Sequence, residues 1–170
     1  MNPYASMDRE GLLKALEMFA KNWLAHDGCW FLAAEESLGM EAAMDLDTRS
    51  WQRFAEAEGR RIVEFLGLPK EGGLEALARA LDHRMYSFIN DQHAEWSSDG
   101  QELTFVMDRC RVQETRRRKG LPDFPCRPVG EVEFKAFAQA VDSRIETVCR
   151  HCPPNAPAHA YCSWAFRLKG

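Results

Sequence analysis

A chain of 170 residues with 45% hydrophobic side chains, five Trp and ten Phe can fill one core without disulfide staples. Its formal charge of −4 and pI near 5.8 exclude broad nucleic-acid or anionic-membrane binding. No basic n-region followed by an apolar h-region opens the chain, and no apolar run of ~18 residues occurs, so the expected compartment is the cytoplasm.

Ser6 or Asp8 is expected to cap a helix running to about Ala25, with Leu12, Leu16, Phe19 and Trp23 at helical spacing as its core stripe. Gly28 predicts a stop or bend, after which Cys29 to Ser37 resumes helical character. A short acidic segment, Met40 to Asp47, is followed by Thr48 as the expected cap of a second long helix. Its stripe is Trp51, Phe54, Ala55, Ile62, Phe65 and Leu66. Leu74, Leu77, Ala78 and Leu81 mark a third helix. From about His83 the period changes: Ser97-Ser98-Asp99-Gly100 is a hairpin signal, and Leu103, Phe105 and Met107 alternate with polar positions as in a half-buried strand. Arg111 to Lys119 reads as a short basic helix, and the three prolines between Leu121 and Pro128 exclude regular helix there. Val132, Phe134, Phe137 and Val141 make a further amphipathic helix. Strands are expected at Ser143 to Cys149 and Ala160 to Leu168. The predicted fold is α+β: N-terminal helices on an antiparallel sheet of two hairpins joined by a crossover helix. A helical subdomain, residues 1–82, precedes an α+β region, residues 83–170, within one compact domain.

Four of the six cysteines, Cys126, Cys149, Cys152 and Cys162, follow the spacing C-x22-C-x2-C-x9-C. A C-x2-C pair sets two thiolates on one metal from a tight turn, and two more complete a tetrahedron. The expected cofactor is structural zinc at one sheet end, with an iron–sulfur cluster as the alternative suggested by Cys152-Pro153. Arg127, Arg150 and His151 adjoin the ligands and offer charge compensation. His159 is a weaker substitute ligand, and Cys29 and Cys110 are expected as core thiols.

The stretch from Leu103 to Leu168 resembles the small-molecule-binding domain of the 4-vinyl reductase type, which occurs in bacteriochlorophyll-pathway proteins and in aromatic-sensing regulators. That resemblance implies a hairpin, short helix, crossover helix and second hairpin, with zinc held by residues matching Cys126, Cys149, Cys152 and Cys162. Cys149 departs from the sensor pattern, which has a carboxylate ligand at this place. The ending Cys162-Ser163-Trp164-Ala165-Phe166 is also similar to that of aminothiazoline-carboxylate hydrolases. Over its whole length, including Asn22 to Gly28 and Phe124 to Gly130, the chain resembles a prokaryotic family of cytosolic proteins with no assigned activity.

Two further groups are candidates for ligand binding. His26, Asp27, Trp30, Glu35 and Glu36 could line a pocket for a polar aromatic molecule; the plainer reading is a helix end with Trp30 in the core. Arg111, at the start of the basic helix and nearest the sheet, could hold a carboxylate or phosphate, whereas the rest of that run is a solvated face. The expected ligand residues are therefore His26, Asp27, Trp30, Glu36 and Arg111, with no catalytic residue assigned. With the resemblance, these features imply a zinc-containing, sensor-like protein that binds an aromatic or carboxylate-bearing small molecule. A homodimer is expected from the aromatic content and from what the resemblance implies, pairing through the N-terminal helices. Hydrolysis of a small heterocyclic or amide substrate is the second reading. A ligand-free structural or interaction protein is the third. No Ser-His-Asp signature, P-loop or dinucleotide fingerprint favours an enzyme.

Overall fold

Two long helices carry the first third of the chain in the computed structural model, which describes residues 2–157 and 160–169. Helix α1 spans Arg9–Leu38, with Asp8 as its cap accepting from the Gly11 amide at 2.7 Å. It continues through Gly28 where the sequence predicted a break. A mid-helix glycine costs only about 1 kcal/mol relative to alanine, which the packing of a 30-residue helix absorbs. Gly39, at φ 82°, ends α1 and admits α2, Met40–Leu66. The acidic segment 40–47 is thus the first two turns of α2, and Thr48 is not its cap: the hydroxyl donates back to the Met44 carbonyl at 2.7 Å. Helix α3, Gly73–Asp82, and a 3-10 turn at Met85–Phe88 lead into the sheet.

Strands β1, Asp91–Trp96, and β2, Glu102–Arg109, form the hairpin signalled by Asp99-Gly100. Helices α4, Arg111–Arg118, and α5, Arg127–Val141, follow, and then β3, Ile145–His151, and β4, Cys162–Leu168. The sheet order is β1-β2-β4-β3, antiparallel throughout, so the last strand lies between β2 and β3 and joins the two hairpins. Period-2 alternation turns Leu103, Phe105 and Met107 to the same face as their β4 neighbours Phe166, Trp164 and Cys162. On the opposite face Glu102 accepts from Arg150 and Arg167 at 2.5 and 2.6 Å.

Helix α5 is pressed between that apolar face and α2. A Cβ at Gly130 would lie 2.4 Å from the Trp164 ring, and one at Gly59 would lie 2.8 Å from Ala140, so both crossings need the missing side chain. One core, including Ala55 of α2, Leu77 and Leu81 of α3, Phe137 of α5 and Phe166 of β4, bridges residues on both sides of position 82. A second, more aromatic cluster joins Phe31, Met44, Trp51, Phe124 and Val129.

Two further expectations for the helical part fail. Leu12, Leu16 and Phe19 are exposed, because α2 packs against the later part of α1 and leaves this stripe uncovered. Cys29 is exposed as well, not a core thiol. Among the described residues no helix is long and apolar enough to cross a membrane.

Candidate ligand-binding cavity

Between the two clusters lies a cavity of about 290 Å³, walled by α1, α2, α4, α5 and the inner sheet face. Six aromatic rings, Phe31, Trp51, Tyr86, Phe124, Phe134 and Trp164, give it a largely apolar lining. Volume and lining resemble those of a small-molecule site.

Helix geometry selects which polar groups reach it. On α1, Asp27 lies three residues beyond Leu24 and four before Phe31, which places it on the buried side. His26, Trp30 and Glu36 are exposed and outside the lining, Trp30 being 46% exposed. Of the five ligand residues expected from sequence, the cavity therefore brings together Asp27 and Arg111.

Three carboxyls stand along the inner wall: Asp27, Asp47 of α2 and Glu133 of α5. Asp47 is 5% exposed and Glu133 7%. Burial raises the Asp47 carboxyl to about 7, and the charges of Asp27 and Glu133 push it the same way; the Trp51 indole opposes them. Burial likewise raises Asp27 and Glu133. Glu133 is anchored by Arg84, which is 1% exposed and donates to Glu133 Oε1 at 2.7 Å and Glu58 Oε2 at 2.9 Å. The guanidinium also lies 4.8 Å from the Tyr86 ring centre and 4.7 Å from that of Phe137, so one side chain ties α2, α5 and the 3-10 turn together.

The other pole is cationic and belongs to α4. Gln113 and Arg116, three apart, form its inner face. Gln113 donates to the Phe124 carbonyl at 2.8 Å and accepts from the Phe124 amide at 2.9 Å, which fixes the proline-rich loop. Arg116 forms a two-pronged pair with Glu35 of α1, at 2.9 and 3.1 Å, and donates to the Pro122 carbonyl. The pair neutralises Arg116 and latches α4 across the cavity. Arg111, Arg118 and Lys119 also line the cavity, the last two exposed at its rim, and among the described residues none of the three has a carboxylate partner.

The cysteines separate into two sets. Cys126 and Cys162 line the cavity together with Cys110, while Cys149 and Cys152 interact with each other outside it. Cys126 Sγ accepts from Gln113 Nε2 at 3.1 Å. Burial pushes the Cys149 thiol up to about 12 and raises Cys126 and Cys162 well above the ordinary range. Among the described residues no three His, Cys, Asp or Glu side chains are placed to hold a metal ion, so the expected four-cysteine tetrahedron is not assembled. A register shift in β3 between Cys149 and His151 interrupts the simple convergence that strand spacing implied. His159 lies outside the described residues.

A family model described as a family of unknown function, DUF6125, matches residues 5–168. The chain belongs to that family. No curated protein matches this DUF6125 member. Among solved structures, a trafficking protein particle complex subunit 3 from Naegleria fowleri, covalently bound to palmitic acid, aligns over 95% of this chain and 98% of its own. The identity is 13% and the TM-score 0.47, a level at which no property is carried across.

Sequence reading missed Asp47, Glu133 and Tyr86 as cavity residues. A signal existed for the two acids. Asp47 stands four residues before Trp51 and three after Met44, and Glu133 four after Val129 and four before Phe137. Each is a carboxylate inside an apolar helical stripe, which is uncommon without a partner or a purpose.

Proposed function

We propose that this protein is a cytoplasmic, sensor-like small-molecule-binding protein whose ligand occupies the cavity between α1, α2, α4 and the sheet. The observation that carries the reading is an aromatic cavity of about 290 Å³ lined by Arg111, Arg118 and Lys119, which have no carboxylate within ion-pair distance among the described residues. An apolar or aromatic body fills the ring-lined interior, and a carboxylate meets Arg111, Arg118 or Lys119, where charge-assisted bonds fix its orientation. Hydrocinnamate, an aryl carboxylate of suitable size, tests it by titration calorimetry and tryptophan fluorescence. Saturable binding that weakens about tenfold in Arg111→Ala is expected, since a bond to a charged group contributes about 1.5–3 kcal/mol. No saturable heat or fluorescence change with any small aryl carboxylate would sink the reading.

Zinc bound by Cys126, Cys149, Cys152 and Cys162 accompanies this proposal. The donor set suits that ion, and Cys126 lies near enough to both Cys152 and Cys162 to feel their charge. The buried indole N–H of Trp164 has no hydrogen-bond partner in good geometry, with the Cys162 thiol beside it. That N–H would donate to a thiolate. Zinc held by four protein thiolates would have a structural role.

Hydrolysis of a small amide or heterocycle is the second reading, favoured by Asp47, a carboxyl near 7 inside the cavity and so suited to proton transfer at neutral pH. Release of product from an aryl amide panel, lost in Asp47→Asn, would replace the binder with an enzyme. A homodimer pairing through the exposed Leu12, Leu13, Leu16 and Phe19 of α1 belongs to the proposal too. A monomeric mass by light scattering at micromolar concentration would remove it.

A further inference from the structure

The cationic rim accounts for only one end of the cavity. The inner end is acidic, and the fold supplies too few cations there. Asp27 and Glu133 act on Asp47, Glu58 and Asp27 act on Glu133, and Arg84 is the guanidinium bonded within the group. Its pairs are with Glu58 and Glu133; Asp27 has the neighbouring His26, and among the described residues Asp47 has no cation beside it. After burial, the largest influences on Asp47 are the like charges of Asp27 and Glu133.

Three observations show that this wall faces something other than protein. Asp47 and Glu133 are each more than nine-tenths buried, yet both line the cavity. Among the described residues Glu133 Oε2 has no hydrogen-bond donor, Oε1 alone being held by Arg84. Asp47 has the Trp51 indole as its polar neighbour and no cation. Trp51 and Tyr86, stacked with ring centres 5.9 Å apart, stand beside these carboxyls. Carboxylates set in an aromatic, apolar lining suit a cation that also has an apolar surface, because such an ion gains the charge pairing and loses little hydration. A strongly hydrated inorganic cation does not match this lining, and no three carboxyls are placed to coordinate one among the described residues.

We propose that the inner wall of the cavity recognises an organic ammonium group, so that the ligand is a primary or secondary amine on an aromatic or aliphatic body. The inference rests on the cavity being a binding site, and it deepens that reading by naming the group that the carboxyls of the lining would hold. A ligand carrying both an ammonium and a carboxylate, separated by an apolar body, satisfies both poles at once. Glu133 accepts through its free oxygen, Asp47 and Asp27 supply the compensating charge, and the apolar lining covers the carbon adjacent to nitrogen.

Three probes on one scaffold test it: phenethylamine, phenethyl alcohol and hydrocinnamate, titrated at about pH 8 by calorimetry with tryptophan fluorescence in parallel. The amine is expected to bind at least about tenfold more tightly than the alcohol, as a charge-assisted bond requires. Asp47→Asn should remove that preference, read as the ratio of the amine and alcohol affinities within the variant. Asp27→Asn, a second and more exposed position, should reduce it. Hydrocinnamate binding without any amine preference would overturn the ammonium proposal and leave the cavity a binding site. Failure of all three probes to bind would overturn both. An amine preference that survives in both variants would also overturn the proposal, since the selectivity would then arise elsewhere.

Discussion

Replacing Asp47 with asparagine should stabilise the fold, and the gain should depend on pH in a defined way. In the unfolded chain this carboxyl titrates near 3.8, whereas in the folded protein it titrates near 7. Below the lower value both states hold the proton and the residue costs nothing. As pH rises between the two values, the unfolded chain ionises freely while the folded chain does so against burial and the charges of Asp27 and Glu133. Folding stability therefore falls through that window and levels off above it. At ~1.36 kcal/mol per pH unit the full cost is about 4 kcal/mol, a large fraction of a typical stability of about 5–15 kcal/mol. An amide of the same shape keeps an oxygen for the Trp51 indole and carries no charge. Urea unfolding of the parent and Asp47→Asn should show the variant more stable by about 4 kcal/mol near pH 8 but by only about 2 kcal/mol near pH 5. The difference between the two proteins includes the coupling of Asp47 to Asp27 and Glu133 as well as its own burial. An equal gain at the two pH values would show that the environment of Asp47 does not resist its ionisation, and the charge argument for the inner wall would go with it.

Arg84→Met removes the sole guanidinium bonded to Glu58 and Glu133 and should cost about 3–5 kcal/mol near pH 8; urea unfolding reads it, and a loss under about 1 kcal/mol would mean the pair is dispensable. The penalty should shrink on acidification, because burial raises the Glu133 carboxyl and its protonation relieves the charge left behind. Elemental analysis of the purified protein should find close to one zinc per chain and a colourless solution. Cys152→Ser should lose the metal and Cys29→Ser should keep it, whereas metal-free protein whose melting is unmoved by chelators would leave the thiols as packing residues.

Much of the fold was legible because local chemistry and tertiary packing agree. The alternation of Leu103, Phe105 and Met107 with polar residues, and the Asp99-Gly100 turn, appear as β2 and the first hairpin. The stripe containing Phe134, Phe137 and Val141 appears as α5. The sequence reading failed where a local signal was outweighed by a longer element. Gly28 and Thr48 carry break and cap preferences of about 1 kcal/mol each. They sit inside helices of 30 and 27 residues, where both are simply accommodated. The exposed Leu12, Leu16 and Phe19 show the converse limit: periodicity reports an apolar face, but not whether the same chain covers it.

The candidate site was harder to read because its chemistry comes from residues distant in sequence. Neighbouring polar residues such as His26 and Asp27 diverge by about 100° around a helix, so adjacency drew in His26, which is exposed, along with Asp27, which lines the cavity. The informative pattern was a charge at an apolar position of the helical repeat. Asp47 has that place before Trp51, Glu58 after Ala55 and Glu133 before Phe137, and all three are buried. Glu58 and Glu133 are answered by Arg84, while Asp47 has no cation from the protein. A buried carboxyl costing about 4 kcal/mol in its charged form, without a protein counter-charge, is poorly explained by stability alone. It is well explained by a positively charged ligand whose arrival converts that cost into binding energy. The same reasoning makes the stabilising Asp47→Asn variant the one that should bind an amine least, so stability and recognition should move in opposite directions at this residue.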